Sequence, residues 1–271
     1  MSWFVLLAMY VSGVHGHSQH TTGVRIDLTI RNLPAELKRQ EKEVRENVQA
    51  GIEMWTNLVV AKPVSIEVEL KFQPWPGRGG GRSLIGVPLG EEKINGRTLL
   101  EEGLPHELRT GNDPNGSTPD FEIILDPEYT KTIWWDPNPR TRRRPMPSDK
   151  LDAVSVIAHE TGHAMGFNGR IDPRTGQFTG GELSTYDRWV EFDGKDFFFL
   201  GPAAMKAYRK KIPLSKVLTN YHHFGNPGPN LDRRLKDALM TGHYFEYGKR
   251  YTITDIDLAV LTDCGVELRK K

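Results

Sequence analysis

Two histidines and a glutamate near the middle of the sequence have the types and the spacing of a metal site. His159, Glu160 and His163 form the pattern His-Glu-x-x-His. Side chains four residues apart lie on one face of an α-helix, about 6 Å apart along its axis. Two imidazoles placed in this way can bind one Zn²⁺ at about 2.0–2.1 Å each. The adjacent Glu160 carboxylate can take a proton from a zinc-bound water, so the pattern predicts a zinc centre that activates water.

This geometry requires a helix, and the flanking residues predict one. Ser148, which follows Pro147, is a suitable N-cap. Asp149 and Asp152 are acids that suit the positive end of a helix dipole. Gly166 is typical of a residue that ends a helix. Between these limits, the residues on or near one apolar stripe are Leu151, Val154, Ile157, Ala158, Thr161 and Met165.

A chance occurrence of this pattern in an ordinary core helix is the alternative interpretation. The two histidines and the glutamate would then be buried beside small residues, Ala158 and Gly162. Without a metal, their polar groups would need other partners, because unpaired polar groups are costly to bury. The zinc interpretation avoids that cost and is preferred.

The stretch from His159 to Gly166 resembles the first part of the metzincin metallopeptidase motif, His-Glu-x-x-His-x-x-Gly-x-x-His. The position of the last histidine holds Gly169 in this chain, so the third ligand has been lost or comes later. The leishmanolysin-like branch of the metzincins supplies it after a long insertion, and this sequence is similar to that branch and to related bacterial secreted proteins.

The resemblance implies a zinc endopeptidase with an α/β (α+β) zincin fold. It implies a twisted mixed sheet with packed helices in an N-terminal lobe, and an irregular and helical C-terminal lobe. The active-site cleft would lie between the two lobes, and the substrate would be a protein or peptide. A catalytically inactive zinc-binding or protein-binding module on the same fold is the alternative.

The resemblance also selects a third zinc ligand. His223 is followed by Phe224-Gly225-Asn226 and later by Leu239-Met240, which is similar to the C-terminal signature of the long-insertion metzincins. In that family the third histidine lies shortly before a methionine-bearing turn beneath the metal. His223 is therefore the preferred third ligand, and Met240 the expected residue of the turn. Three other residues stay open as the third ligand: His222, Glu182 and Asp187.

Local patterns predict several elements around the zinc helix. Residues 24–30 and 64–72 alternate apolar and polar side chains, and Pro34 opens a helix that runs to about Leu58. This strand–helix–strand unit predicts a sheet with a helix on one face, which is how metzincin domains begin. Residues 121–125 are predicted as a short strand near a sheet edge, where metzincins bind an extended substrate.

Other segments show less pattern. Residues 77–81 are predicted as a flexible glycine-rich loop, 86–120 show little periodicity, and the basic run 140–144 is predicted as a solvated loop. His106 is predicted to lie in a loop. The last helix is predicted to start with a capping box of Thr254 and Asp257 and to end at Gly265; a short helix is predicted at 203–208.

The composition indicates which classes of partner the chain can be expected to bind and whether disulfides can form. The chain has 271 residues, enough for one large core or two lobes, and a net charge of +1. This charge gives no reason to expect nucleic acid or an anionic membrane as a partner. Cys264 is the single cysteine, so no disulfide can form within the chain. A monomer is expected.

The N-terminus predicts a secretory signal peptide at 1–16, because a short apolar run is followed by small residues. A buried first strand or helix is the alternative. No second apolar stretch is long enough to anchor the chain in a membrane. The predicted organisation is therefore a secreted protein with an N-terminal catalytic lobe at 17–168, which carries the zinc helix, and a C-terminal lobe at 169–271.

Overall fold

The computed structural model describes residues 23–75, 78–216, 220–225 and 232–270. The predicted signal peptide at 1–16 lies outside these residues. The first part of the described chain forms, in order, β1 (Val24–Arg31), a 3₁₀ helix (Ala35–Gln40), α1 (Glu41–Thr56), β2 (Val64–Phe72), β3 (Gly79–Ser83), β4 (Gly86–Ile94), β5 (Arg97–Glu102), α2 (Gly103–Thr110), β6 (Phe121–Leu125), α3 (Pro127–Thr130) and β7 (Ile133–Trp134).

The second part carries the His159–His163 sequence and shorter elements. They are, in order, β8 (Leu151–Asp152), α4 (Ala153–Met165), β9 (Ile171–Asp172), β10 (Gln177–Phe178), β11 (Glu182–Ser184), a 3₁₀ helix (Asp187–Trp189), β12 (Val190–Phe192), β13 (Phe197–Phe199), α5 (Pro202–Tyr208), β14 (Ile212–Pro213), α6 (Arg233–Asp237) and α7 (Asp255–Asp263).

The largest sheet has the strand order β1–β2–β6–β3. β1 pairs in parallel with β2, and β2 in parallel with β6, whereas β3 runs antiparallel to β6. The 3₁₀ helix and α1 connect the first two strands, which confirms the predicted strand–helix–strand unit. The fold is mixed α/β with several sheets, in agreement with the predicted class.

Two predictions about this sheet are wrong. The strand Phe121–Leu125 forms as predicted and lies next to the edge strand, but it is paired on both sides, so it is not the free edge at which a substrate was expected to bind. The edge is β3, Gly79–Ser83, which occupies most of the glycine-rich segment predicted as a flexible loop. Glycine is rare within strands, and its presence there marks close approach of another backbone. In this protein the approaching backbone is that of α4.

The segment 86–120 contains regular structure that its sequence pattern conceals. β4 and β5 form an antiparallel pair with a shift of register between Pro88 and Lys93. Such an irregularity interrupts the two-residue alternation by which a strand is recognised. His106 lies in α2 rather than in a loop, and its Nδ1 is 3.2 Å from the carboxylate of Glu101.

α1 fixes the position of α4. The predicted helix after Pro34 begins with the 3₁₀ helix, and α1 itself starts at Glu41. At Gly51 the two α-helices come so close that a Cβ there would lie 2.6 Å from the side chain of Ile157. The apolar face of α1 buries Val44, Val48, Ile52 and Trp55.

The core is continuous across both parts of the chain. Apolar side chains from residues before and after α4 belong to one buried cluster. Within α4, every residue except His159 is buried. Among the described residues, no helix combines the length and the apolar composition needed to cross a membrane.

Candidate metal centre

α4 begins later than predicted. Its N-cap is Asp152, whose Oδ2 accepts a hydrogen bond from the backbone N–H of Ser155 at 2.9 Å. Ser148, the predicted cap, lies outside the helix because the intervening residues are extended: Leu151–Asp152 pairs in parallel with Ile133–Trp134. This pairing connects the start of α4 to the short strand β7.

The basic stretch before α4 is not simply a solvated loop. Arg142 donates to Oδ2 of Asp152 at 2.6 Å, so it stabilises the cap of α4. Arg140 forms an ion pair with Glu53 of α1 at 2.9 Å. The prediction failed because a run of arginines has no local signal for which side chains turn inward.

Three histidines converge at one point, and we call them the histidine centre: His159, His163 and His223. Nε2 of His223 lies 2.9 Å from Nε2 of His159 and 3.1 Å from Nε2 of His163. Ligand nitrogens of a tetrahedral zinc ion lie about 3.3 Å apart, given Zn–N distances of about 2.0–2.1 Å. The spacing of these nitrogens is therefore close to that of a three-histidine metal site.

In the two helical histidines, the hydrogen bond at Nδ1 determines which ring nitrogen carries the proton. Nδ1 of His159 lies 2.8 Å from the carbonyl oxygen of Leu239, and Nδ1 of His163 lies 2.7 Å from that of Phe167. A carbonyl oxygen can only accept, so Nδ1 is the donor in each ring and Nε2 of the neutral ring holds a lone pair. These lone pairs face His223, and a cation between the rings would satisfy all of them.

The surroundings keep these rings neutral. Burial lowers the pKa of His159 to about 3 and that of His163 to about 4. Burial and the neighbouring histidines lower the pKa of His223 well below its ordinary value. Neutral imidazole is the form that binds a metal, so little free energy is spent on deprotonation before binding.

Backbone pairing positions His223 although it lies far along the chain. Its carbonyl oxygen accepts from the backbone N–H of Ser215 at 2.8 Å. The next residue, Phe224, forms β-bridges with Leu214 and with Thr241. The backbone of Asn220 hydrogen-bonds to the His223 ring. Three chain segments therefore hold this imidazole over α4.

Asp257 holds the backbone of Leu239 and Met240, the segment that contacts the His159 ring. Its carboxylate accepts from the backbone N–H of Leu239 at 3.1 Å and from that of Met240 at 3.0 Å. The same carboxylate forms the predicted capping box with Thr254 at the start of α7. Because the carbonyl of Leu239 receives Nδ1 of His159, Asp257 orients that imidazole through one intervening residue.

Met240 lies beneath α4, at the place expected for the methionine-bearing turn. Its side chain is fully buried. A Cβ on Gly162 of α4 would overlap with the Met240 sulfur. The glycine between the two helical histidines is therefore the point at which the turn packs against the helix.

Glu160 belongs to α4 and packs against the edge strand β3. It is 8% exposed, and the backbone of Gly81 hydrogen-bonds to its carboxylate. A Cβ on Gly81 would overlap with the carbonyl oxygen of Glu160, and one on Gly79 would lie 3.5 Å from its Oε1. Burial raises the pKa of Glu160 to about 8, and the Gly81 hydrogen bond opposes this change.

The histidine centre opens into a cleft of about 840 Å³. The free edge of β3 forms one side of this cleft, and residues after the methionine turn form another. Arg78 lies at its rim with its guanidinium 4.7 Å from the ring centre of Tyr244. The lining includes Trp75, Arg78, Gly79, Gly80, Gly81, Tyr129, Glu160, Asn168, Asn220, His222, His243, Tyr244 and Phe245. The size is that of sites that bind small molecules or short peptide segments.

Neither carboxylate considered as a third ligand belongs to the centre. Glu182 is exposed on β11 and pairs with Arg170 at 3.4 Å. Asp187 is buried elsewhere, where it accepts from the hydroxyl of Tyr221 at 2.8 Å and from the backbone N–H of Arg170 at 2.7 Å. Its role is to connect the segment after α4 to the residue preceding the two later histidines.

His222 also lines the cleft but does not join the three converging nitrogens. Its ring centre is 6.4 Å from that of His163. Its Nε2 is buried and has no hydrogen-bond partner among the described residues. His222 therefore lies beside the centre, and the ring that meets the helical histidines is that of His223.

No model of a known protein family matches this chain, and no curated protein matches it. The assignment of the site therefore depends on its residues and their geometry.

Two contributors to the site are absent from the sequence-based predictions. The sequence predicts a loop for the glycines of β3, although glycines within a strand are also typical of close backbone packing. Asp257 was predicted only as part of a capping box, and its contact with Leu239 and Met240 has no local signal, because the partners are far apart in sequence.

Proposed function

We propose that this protein is a zinc-dependent endopeptidase of the leishmanolysin-like metzincin type. The observation that carries the proposal is the convergence of three Nε2 lone pairs beside the Glu160 carboxylate, within an open cleft. Three neutral imidazoles are a ligand set that zinc prefers, and three protein ligands leave a fourth position for water. His159, His163 and His223 would hold the ion.

Zinc in such a site lowers the pKa of a bound water toward about 7 and polarises a substrate carbonyl. Glu160 then acts as the general base that accepts the proton of the attacking water and passes it to the leaving amine. A nearby cation favours the ionised carboxylate and so opposes the effect of burial on the pKa of Glu160. The Gly81 hydrogen bond holds this carboxylate beside the centre.

The edge strand β3 suggests how a peptide would bind. Its outer edge adjoins the cleft, and its other edge pairs with β6. An extended peptide that paired with the outer edge would add a strand to the sheet and pass beside Glu160. The role of substrate-binding strand, expected for Phe121–Leu125, therefore moves to Gly79–Ser83 in this proposal.

The test separates metal binding from turnover. The Glu160→Gln variant keeps the size of the side chain but removes the base, so it should bind one zinc ion per chain and lose about 10²–10⁴-fold in peptide hydrolysis. Glu182→Gln is the matched control, because Glu182 is an exposed glutamate away from the centre. Zinc would be measured by elemental analysis, and hydrolysis with an unstructured protein substrate.

Each result has a distinct meaning. Full hydrolysis by the Glu160→Gln variant would overturn the assignment of the base. Zinc binding by the unaltered protein without any hydrolysis would favour the alternative, an inactive binding module on the same fold. Absence of bound zinc in the unaltered protein would reject the endopeptidase and the zinc-binding module, and would leave a protein-binding module as the alternative.

A further inference from the structure

A second group of converging ligand atoms lies away from the histidine centre. We call it the acidic cluster: Glu107 of α2, Asp113 of the following loop and Asp120 just before β6. One carboxylate oxygen from each lies within 4.8 Å of the other two. Oxygen ligands of a calcium ion lie about 2.3–2.6 Å from it, so three such oxygens can share one ion.

Two of these carboxylates are buried with unused oxygens. Glu107 is 3% exposed and Asp120 is 0% exposed. No hydrogen-bond donor among the described residues contacts Oε2 of Glu107 or Oδ1 of Asp120, and a hydrogen bond between these two carboxyl groups requires a proton on one of them. Most buried polar atoms in proteins have a partner, and a buried carboxylate oxygen without one is costly. These two oxygens therefore point to a missing ligand.

The charges around Glu107 increase this cost. The groups that act on it electrostatically are Asp120, Asp113 and Glu67, and all of them are acidic. Burial and these neighbours raise the pKa of Glu107 to about 8. A bound cation would remove the repulsion, whereas a proton on Glu107 would relieve only part of it.

The remaining oxygens are held in place by backbone groups. Oδ1 of Asp113 accepts from the backbone N–H groups of Asn115 and Gly116, each at 2.8 Å. Oδ2 of Asp120 accepts from the backbone N–H of Glu67 at 2.7 Å. In each aspartate these backbone bonds go to one oxygen, which leaves the other oxygen as the candidate ligand.

We propose that the acidic cluster is a calcium site. Its donors are oxygens only, which suits a hard cation and not the zinc of a nitrogen site. Three protein carboxylates favour Ca²⁺ over Mg²⁺, because magnesium keeps its waters and is usually bound by one or two carboxylates. Asp113 is exposed, so water can complete the coordination. The ion would join α2 to the loop 111–120 that leads into β6.

The experiment uses the full chain with its histidine centre loaded with zinc. Calcium chloride is added to calcium-free protein, and bound calcium is measured by equilibrium dialysis, with magnesium chloride in a parallel series. We expect one calcium ion per chain and a rise of about 5 °C in the midpoint of thermal unfolding at saturation. Magnesium should give a smaller rise.

Two variants and a control locate the ion. Asp113→Asn changes an exposed residue and should fold, but it should weaken calcium binding about tenfold or more. Glu107→Gln should stabilise the calcium-free protein by removing repulsion, and it should abolish the calcium-dependent rise. Glu102→Gln is the control, because Glu102 is also buried but has Arg170 and Asn168 as neighbours; it should keep the calcium response.

Absence of calcium binding by the unaltered protein would overturn the proposal and leave a proton shared within the cluster as the explanation. Calcium binding that survives in both the Asp113 and the Glu107 variants would also overturn it, since the ion would then lie elsewhere. The outcome is independent of peptide hydrolysis, because none of these measurements uses activity.

Discussion

The histidine centre and the acidic cluster are both sets of three candidate ligands with atoms within 4.8 Å of one another, yet they differ in almost every other respect. The histidine centre has nitrogen donors, an open cleft and a buried carboxylate beside it. The acidic cluster has oxygen donors from a helix and from the loop between that helix and a strand. The first arrangement suits chemistry on a bound molecule, and the second suits stabilisation of the fold.

The difference also concerns what orients the ligands. Backbone carbonyls hold the helical imidazoles so that their free lone pairs meet. Backbone N–H groups hold one oxygen of each of the two aspartates, and the second oxygen takes no part in these bonds. A buried imidazole can remain neutral without a metal, whereas buried carboxylates must share a proton or bind a cation. Loss of the metal should therefore affect the two sites differently.

The largest effect is expected when the third imidazole is removed. His223→Ala should weaken zinc binding by more than about 100-fold, because only the two helical imidazoles remain. Competition with a chelating indicator would measure the affinity. Calcium binding at the acidic cluster should not change. His222→Ala is the matched control and should retain zinc; loss of zinc in His222→Ala together with retention in His223→Ala would show that the two adjacent histidines were assigned in the wrong order.

The second effect concerns the close contact of β3 and α4. Gly81→Ala should lower the free energy of unfolding by about 3 kcal/mol, since the new methyl group overlaps with the backbone of Glu160. Urea unfolding of the zinc-loaded protein would measure it. In Gly80→Ala the new Cβ lies 3.1 Å from the Trp75 side chain, which can move, so the loss should be smaller. A larger loss at Gly80 would contradict the packing described.

A smaller effect is expected from the carboxylate behind His159. Asp257→Asn leaves one of the two backbone N–H groups of Leu239 and Met240 without its acceptor, at a cost of about 2 kcal/mol in unfolding free energy. Because Leu239 orients His159, zinc affinity should also fall about tenfold. If only stability changed, Asp257 would hold the fold without orienting the imidazole.

The smallest effect concerns a buried carboxylate that, unlike Glu107, has a basic neighbour. Burial raises the pKa of Glu102 to about 7, and the charge of Arg170 opposes this change. Between pH 4.5 and about 7 the folded state retains a proton that the unfolded state has lost, so stability should fall as pH rises. Glu102 should contribute about 1 kcal/mol per pH unit to this slope. Glu102→Gln should reduce the slope by that amount, measured by urea unfolding across that range. The remaining slope belongs to other buried carboxylates with raised pKa values, such as Glu107 and Glu160; an unchanged slope would exclude Glu102 as a contributor.

Local patterns in the sequence determined several features of this protein. The spacing of His159 and His163 needs only a helix, and the helix has the predicted apolar stripe and final glycine. The alternation of β1 and β2, the apolar face of α1 and the capping box of α7 are also short-range properties. Such patterns can be predicted because they arise between residues a few positions apart.

The choice of His223 over His222 needed more than local pattern. The resemblance to the metzincins favoured it, and the structure brings its Nε2 to the two helical histidines. The glycines of β3 and the acidic cluster had no such guide. Their roles depend on which segments become neighbours, and strand order and loop position are decided by packing of the whole chain.

The sequence alone therefore determined the chemistry that α4 carries, since residue type and helical spacing place two imidazoles and a carboxylate together. Only the tertiary structure decided which distant imidazole completes the centre, that an edge strand of glycines lies against Glu160, and that three carboxylates from separate segments meet. The physical reason is that the first two contacts join residues far apart in the chain, and the third depends on how the loop 111–120 folds back against α2. The free energy of each contact depends on the burial and close packing of the assembled core, not on any local preference.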